Sequence, residues 1–261
     1  MTDASRFVWY ELMTTDVEAA KAFYSEVIGW KAKSWPGAME YTSFNIGDDG
    51  VAGLMALPEE AKAGGAPPHW IGYLGVDDAD ATGKHVTELG ATIIVPPQDI
   101  PEVGRFAVAT DPQGAVFAFI APRRPEGAKP YDGPPRPGDV SWNELNTTDY
   151  ESAWKFYAAL AGWKHVDTFD MGPEMGSYWM FASGDDPRSS RGGMSNMAKA
   201  HQVPAHWLYY ITVTDVAAAV RRVESHGGKV LNGPMEVPDG STVAQCMDPQ
   251  GAMFALNMPG R

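Results

Sequence analysis

The chain has 261 residues, 44% of them hydrophobic with nine tryptophans, which is material for two packed domains of ordinary size. Its formal net charge of -13 argues against nucleic acid and against an anionic membrane surface, since both are held through clustered Lys and Arg. The single cysteine, Cys246, excludes a disulfide framework and a cysteine zinc site; with no apolar stretch at Met1–Arg6 and no window resembling a membrane span, the expectation is a soluble protein of the reducing cytoplasm.

Residues 7–13 read as an opening strand. Thr15 or Asp16 then caps a helix whose apolar face is Ala20, Phe23, Tyr24 and Val27, at i, i+3, i+4, i+7, and Gly29 ends it. Strands are expected at 30–32, 41–46 and 51–56, separated by a Pro36-Gly37 turn and a Gly47-Asp-Asp-Gly50 turn. Residues 58–68, rich in Ala, Gly and Pro, read as a flexible connection. A strand at 70–76 leads to a helix capped by Asp77 or Asp78 that runs to Leu89 and stops at Gly90. Strands follow at 92–95, 105–110 and 116–120, the last two joined by an Asp111-Pro-Gln-Gly turn. Residues 122–139, with six Pro and three Gly, predict a semi-extended linker.

The plan then repeats. Trp9, Glu11, Leu12, Asp16, Ala20, Phe23 and Tyr24 recur 133 residues later as Trp142, Glu144, Leu145, Asp149, Ala153, Phe156 and Tyr157. At an offset of 137, His69-Trp70, Tyr73, Gly90, Pro97 and Asp111-Pro-Gln-Gly-Ala recur as His206-Trp207, Tyr210, Gly227, Pro234 and Asp248-Pro-Gln-Gly-Ala. The change of offset places four extra residues between Lys164 and His206. Such density of identities is internal duplication. Helices are expected at 149–161 and 215–226. The chain is therefore α+β, four β-α-β-β-β modules, with domains at 1–121 and 140–261 around the linker 122–139. Ala109 stands where the second half has Cys246, so that cysteine reads as a small buried residue rather than a nucleophile.

Thr14-Thr15-Asp16-x6-Phe23-Tyr24-x4-Gly29-Trp30, the Val76-Asp77-Asp78 helix entry and Asp111-Pro-Gln-Gly, with their copies, resemble the vicinal-oxygen-chelate superfamily of glyoxalases, bleomycin-resistance proteins and extradiol dioxygenases. The nearest likeness is to its two-domain glyoxalase-like branch, typified by a mycobacterial antigen. The resemblance implies tandem half-open barrels, each with a cavity in its concave face. It also implies where a metal would be held: Trp9, Ile71, Ala118 and Leu54 or Met55 in the first half, and Trp142, Leu208, Ala255 and Met194 in the second. None carries a ligand side chain, so no metal and no cofactor are expected.

Side chains two apart share a strand face, so Glu11 accompanies Trp9, His69 accompanies Ile71, and likewise Glu144 and His206. If the opening strands of paired modules run antiparallel, as in the family, Glu11 lies opposite His69 and Glu144 opposite His206. Each pair then reads as an acid–base couple or as a buried structural bridge; a metal site built on His69 and Glu11 in a shifted position is a third reading. Trp9, Tyr73, Trp142 and Tyr210, with Met13 and Phe117, would line an aromatic cavity, and Arg105 either binds an anionic group there or forms a surface salt bridge. The functions this supports are metal-independent binding of an aromatic or cationic small molecule, or a lyase or isomerase acting on an activated carbonyl through the Glu–His pair. A monomer or a homodimer is expected.

Overall fold

The computed structural model describes residues 6–35, 40–123, 133–173, 175–186 and 189–260. In the first half β1 (Phe7–Thr14), α1 (Val17–Ile28), β2 (Lys31–Ser34), β3 (Thr42–Ile46) and β4 (Asp49–Ala56) form one module. After α2 (Glu59–Ala63), the second module is β5 (His69–Gly75), α3 (Ala79–Glu88), β6 (Thr92–Ile100), β7 (Gly104–Thr110) and β8 (Val116–Pro122). The second half repeats this as β9 (Val140–Asn146), α4 (Tyr150–Ala161), β10 (Lys164–Asp170), β11 (Ser177–Ala182) and β12 (Gly192–Ser195). The short α5 (Met197–His201) then leads to β13 (His206–Thr212), α6 (Val216–Ser225), β14 (Lys229–Glu236), β15 (Thr242–Met247) and β16 (Met253–Met258). Each half makes one eight-stranded mixed sheet, ordered β2-β3-β4-β1-β5-β8-β7-β6 and β10-β11-β12-β9-β13-β16-β15-β14. The α+β tandem architecture expected from the repeat is the one observed.

The helices form where their caps and faces dictate. Asp16, Asp78, Asp149 and Asp215 each accept the backbone N–H three residues on, satisfying donors that the first turn leaves open. Gly29 and Gly162 close α1 and α4 at φ of 89° and 65°, a conformation that costs a residue with a Cβ. The helix face Ala20, Phe23, Tyr24 and Val27 is buried as its spacing predicts.

Two expectations need correction. The stretch 58–68 contains α2, where Glu59–Ala63 supplies enough helix formers for one short turn. Strand β6 continues through Pro96 and Pro97 to Ile100, because it is the sheet's edge strand. Its register shifts there absorb the missing N–H groups. In the expected linker, residues 124–132 lie outside the described residues, as does the Pro36-Gly37 turn. The described end of the linker is anchored: Arg136 reaches Asp49 at 2.7 Å and Asp139 at 3.1 Å, and Gly138 O accepts the Trp30 indole N–H at 3.0 Å.

By compactness the chain divides differently from its sheets, each unit taking parts of both halves. One unit is Met1–Val8, Gly72–Gly133 and Asn143–Trp207; the other is Trp9–Ile71, Pro134–Trp142 and Leu208–Arg261. In the first, Trp163 stacks on Phe181 at 4.0 Å, and Trp207 Nε1–H donates to Tyr157 Oη, which donates to Asp111 Oδ2 at 3.1 Å. In the second, Trp30 stacks on Phe44 at 4.9 Å, and Trp70 Nε1–H donates to Tyr24 Oη, which donates to Asp248 Oδ2 at 3.1 Å. Burial of each ring contributes roughly 1.5–3 kcal/mol. The hydrogen-bonded chain through each tyrosine adds direction, so the aspartate of every Asp-Pro-Gln-Gly turn is tied to a helix of the other half.

Candidate functional site

Strands β1, β5, β9 and β13 carry the expected Trp, Glu, His and Tyr residues, and β7 carries Arg105. In the unit that contains Trp9–Ile71, β1 pairs in parallel with β4 so that Glu11 stands beside Gly53. The Tyr41 hydroxyl occupies the space a Cβ at position 53 would fill. Trp9 Nε1–H donates to Tyr41 Oη at 3.0 Å, and the Tyr41 hydroxyl is hydrogen-bonded in turn to Glu11. Burial, then the charge on Glu11, push the Tyr41 phenol well above its ordinary range. The hydroxyl therefore stays protonated and donates to a carboxylate that is 6% exposed.

The other unit holds a parallel arrangement. Glu144 pairs with Gly193, and the Tyr178 ring lies where a Cβ at 193 would be. Tyr178 O–H donates to Glu144 Oε2 at 3.2 Å, and Asn146 Nδ2–H donates to Glu144 Oε1 at 3.3 Å. The same Nδ2 lies 3.4 Å from His206 Nε2.

The expected Glu–His pairs take a different form. His69 Nδ1 lies 2.8 Å from Pro67 O and His206 Nδ1 2.9 Å from Pro204 O. Among the described residues no hydrogen bond or ion pair joins His69 to Glu11 or His206 to Glu144 directly. The reason is competition: each imidazole is turned by the backbone carbonyl two residues before it, and each carboxylate is taken up by a tyrosine hydroxyl. In the second half Asn146 spans the gap; Met13 stands at that position in the first.

Tyr41, Tyr178, Asn146 and the two glycines were not singled out from the sequence. Tyr41-x2-Phe44 recurring as Tyr178-x2-Phe181 was the available signal. Without the strand register it does not say which carboxylate the hydroxyl meets.

Arg105 is a surface ion pair. Its Nε and Nη2 bind Asp80 at 2.7 and 3.0 Å, and Asp99 lies at 3.5 Å. Its guanidinium is paired with these carboxylates, the surface salt bridge that was one of its two expected roles. Tyr73 is 4% exposed and packs 6.1 Å from Phe106, and Tyr210 Oη accepts from Gln245 Nε2 at 3.1 Å.

The positions where chelating side chains would stand bear directly on the chemistry. Trp142, Leu208 and Ala255 meet in one apolar cluster with Tyr210, Val243 and Met235. In the first half Leu54, Ile71 and Ala118 are at most 1% exposed. Trp, Leu, Ile and Ala supply no donor to a divalent ion, so these residues do not fit the metal that chelating relatives hold. Among the described residues no group of three or more His, Cys, Asp or Glu has metal-binding geometry. Two open clefts, of about 390 and 360 Å³, lie at the start of α4 and beside Phe156. Neither includes an expected site residue, and being shallow surface they weigh less than the buried strand residues. No described helix is long and apolar enough to cross a membrane.

Comparison with known proteins gives the family of the chain and its fold. The family model described as Glyoxalase/Bleomycin resistance protein/Dioxygenase superfamily matches residues 6–119 and 140–256. A Mycobacterium tuberculosis protein provisionally named a glyoxylase, CFP32, is 32% identical over 96% of this chain and 94% of its own length. The anthracycline biosynthesis protein DnrV of Streptomyces peucetius is 35% identical over 95% of this chain and 91% of its own. Among solved structures, the Mn(II)-bound glyoxalase of Novosphingobium aromaticivorans superposes with a TM-score of 0.63 at 17% identity, covering 98% of this chain and 82% of that one. The 2,3-dioxygenase LapB of Pseudomonas sp. KL28 gives 0.67 at 14% identity, covering 100% and 94%. At those identities the structures share the fold alone.

Proposed function

Because this chain belongs to the Glyoxalase/Bleomycin resistance protein/Dioxygenase superfamily while its chelating positions are apolar, we propose that it is a metal-independent small-molecule-binding protein whose ligand sits in an aromatic barrel cavity. The observation that carries this reading is the cluster of Trp142, Leu208 and Ala255, which replaces a coordination sphere with hydrocarbon and indole. A concave apolar wall with a few polar groups is the usual form of a small-molecule site. In the first half the polar groups are Glu11, Tyr41 and His69. The net charge of -13 favours a cationic ligand over an anionic one. The name of the Streptomyces relative makes an anthracycline the first compound to test.

The test has two arms on the purified full chain. Loading with Zn, Ni, Mn or Fe(II) followed by desalting and elemental analysis is expected to leave no stoichiometric metal. A thermal-shift screen of aromatic and cationic compounds is expected to find a ligand that raises Tm; saturation at a hundredfold excess over Kd stabilises by about 2.7 kcal/mol. Stoichiometric metal that itself raises Tm would overturn the reading.

One observation favours a second reading, a lyase or isomerase acting on an activated carbonyl. Glu144 and His206 both accept from Asn146 Nδ2–H, which holds a carboxylate and an imidazole, two candidate proton acceptors, on the same amide. His69→Asn and His206→Asn separate the readings: a variant that keeps its fold and its ligand but loses a turnover measured in the wild type supports the enzyme.

A further inference from the structure

The two strand-opening imidazoles share their sequence context, their partial burial and their backbone anchor. They differ at the second nitrogen. A carbonyl oxygen only accepts, so Pro67 O and Pro204 O fix the proton of each ring on Nδ1. In the neutral ring Nε2 then presents a lone pair. In the second half that lone pair faces Asn146 Nδ2 at 3.4 Å. The orientation of this amide is set by its other neighbour: Glu144 Oε1, at 3.3 Å, also accepts, so only the NH2 end suits both. Asn146 Oδ1, buried in turn, takes no hydrogen bond among the described residues. The amide is thus held for its donors alone. In the first half the corresponding residue is Met13, whose thioether has no N–H to donate. Among the described residues Pro67 O is the hydrogen-bond partner of His69, through Nδ1.

We propose that His69 is the open imidazole of this chain, an acceptor whose Nε2 takes the hydroxyl or N–H proton of a bound small molecule, and that His206 is its closed counterpart, capped by Asn146. Asn146 is then a positioning residue. It commits His206 to Glu144 and withholds it from ligand, so the two halves are not interchangeable copies. The ligand class at His69 is a hydrogen-bond donor on an aromatic frame, such as a phenol. That part rests on the small-molecule reading above; the open and closed assignment rests on hydrogen-bond chemistry alone.

Carbethoxylation of the intact chain by diethyl pyrocarbonate, which acylates an unprotonated imidazole nitrogen, reads the difference by peptide mass spectrometry. His69 is expected to react at least about fivefold faster than His206, the factor equivalent to ~1 kcal/mol for one hydrogen bond. Asn146→Met is expected to bring His206 to the His69 rate, and Met13→Asn to slow His69. Phenol in excess is expected to protect His69 and leave His206 unchanged. Equal rates in the wild type overturn the proposal without any variant. An unchanged His206 rate in folded N146M removes Asn146 from it, and absence of phenol protection removes the ligand. If N146M fails to fold, long-range 1H–15N spectra of the wild type decide: an Nε2-protonated tautomer at either histidine overturns the assignment. A rate difference with phenol protection, alongside a failed thermal-shift screen, upholds His69 and faults the aromatic cavity.

Discussion

At the scale of single residues, burial decides which polar groups are expensive and therefore tightly held. Asp111 and Asp248 are 3% and 2% exposed, yet each accepts two backbone N–H groups of its own turn and a tyrosine hydroxyl. Desolvation outweighs these donors and raises both carboxyls above their usual range. A carboxyl raised in the folded state binds its proton more tightly there than in the unfolded chain. Its contribution to stability is therefore fully present below the unfolded value of about 3.9 and is lost as pH rises through the folded one. Asp248→Asn keeps an acceptor for the turn and removes that loss. The expected outcome is a urea midpoint that improves relative to wild type as pH rises above about 4. A difference that does not change with pH would mean that the carboxyl is not raised. The same reasoning accounts for Gly53 and Gly193, where the tyrosine that serves each glutamate needs the volume of the missing side chain.

At the scale of elements, the helices depend on local chemistry and the edge strands on position. Asp16 accepts the Ala19 N–H at 3.0 Å, whereas Asp149 accepts both the Ser152 N–H at 3.1 Å and its hydroxyl at 2.7 Å. Asp16→Ala is expected to cost about 1 kcal/mol, within the usual range for an N-cap, and Asp149→Ala more. Chemical denaturation with unchanged slope checks the order; equal losses would show that the serine hydroxyl adds nothing. In β6 two prolines sit inside a strand that sequence punctuation ends too early. An edge strand has a side on which a missing N–H breaks no ladder, and only the sheet order identifies it as an edge.

At the scale of the whole molecule, the halves written in the sequence are not the compact units. Tyr24 belongs to the first half and Asp248 to the second, but they lie in one unit and share a hydrogen bond of 3.1 Å. Tyr24 and Asp111 belong to one half and lie in different units; the Tyr24 hydroxyl donates to Asp248, and Asp111 accepts from Tyr157. Double-mutant cycles should reflect this. Tyr24→Phe with Asp248→Asn is expected to show a coupling of roughly 0.5–3 kcal/mol, and Tyr24→Phe with Asp111→Asn to be additive within about 0.5 kcal/mol. Coupling within the half and additivity between the halves would reverse the assignment.

By itself the sequence determined the duplication, the four modules, and the capped helices with their buried faces. These are properties of local spacing and residue type, which period, cap chemistry and an internal repeat make readable. It also brought Glu11, His69, Glu144 and His206 forward as a set. Only the tertiary structure decided which groups they are hydrogen-bonded to. The tyrosine hydroxyls at Glu11 and Glu144, the carbonyls that turn His69 and His206, and the capping of one imidazole by Asn146 all depend on strand register and ring orientation. Those quantities arise from packing between segments tens of residues apart, where one rotated side chain exchanges an expected Glu–His pair for a tyrosine and a backbone oxygen.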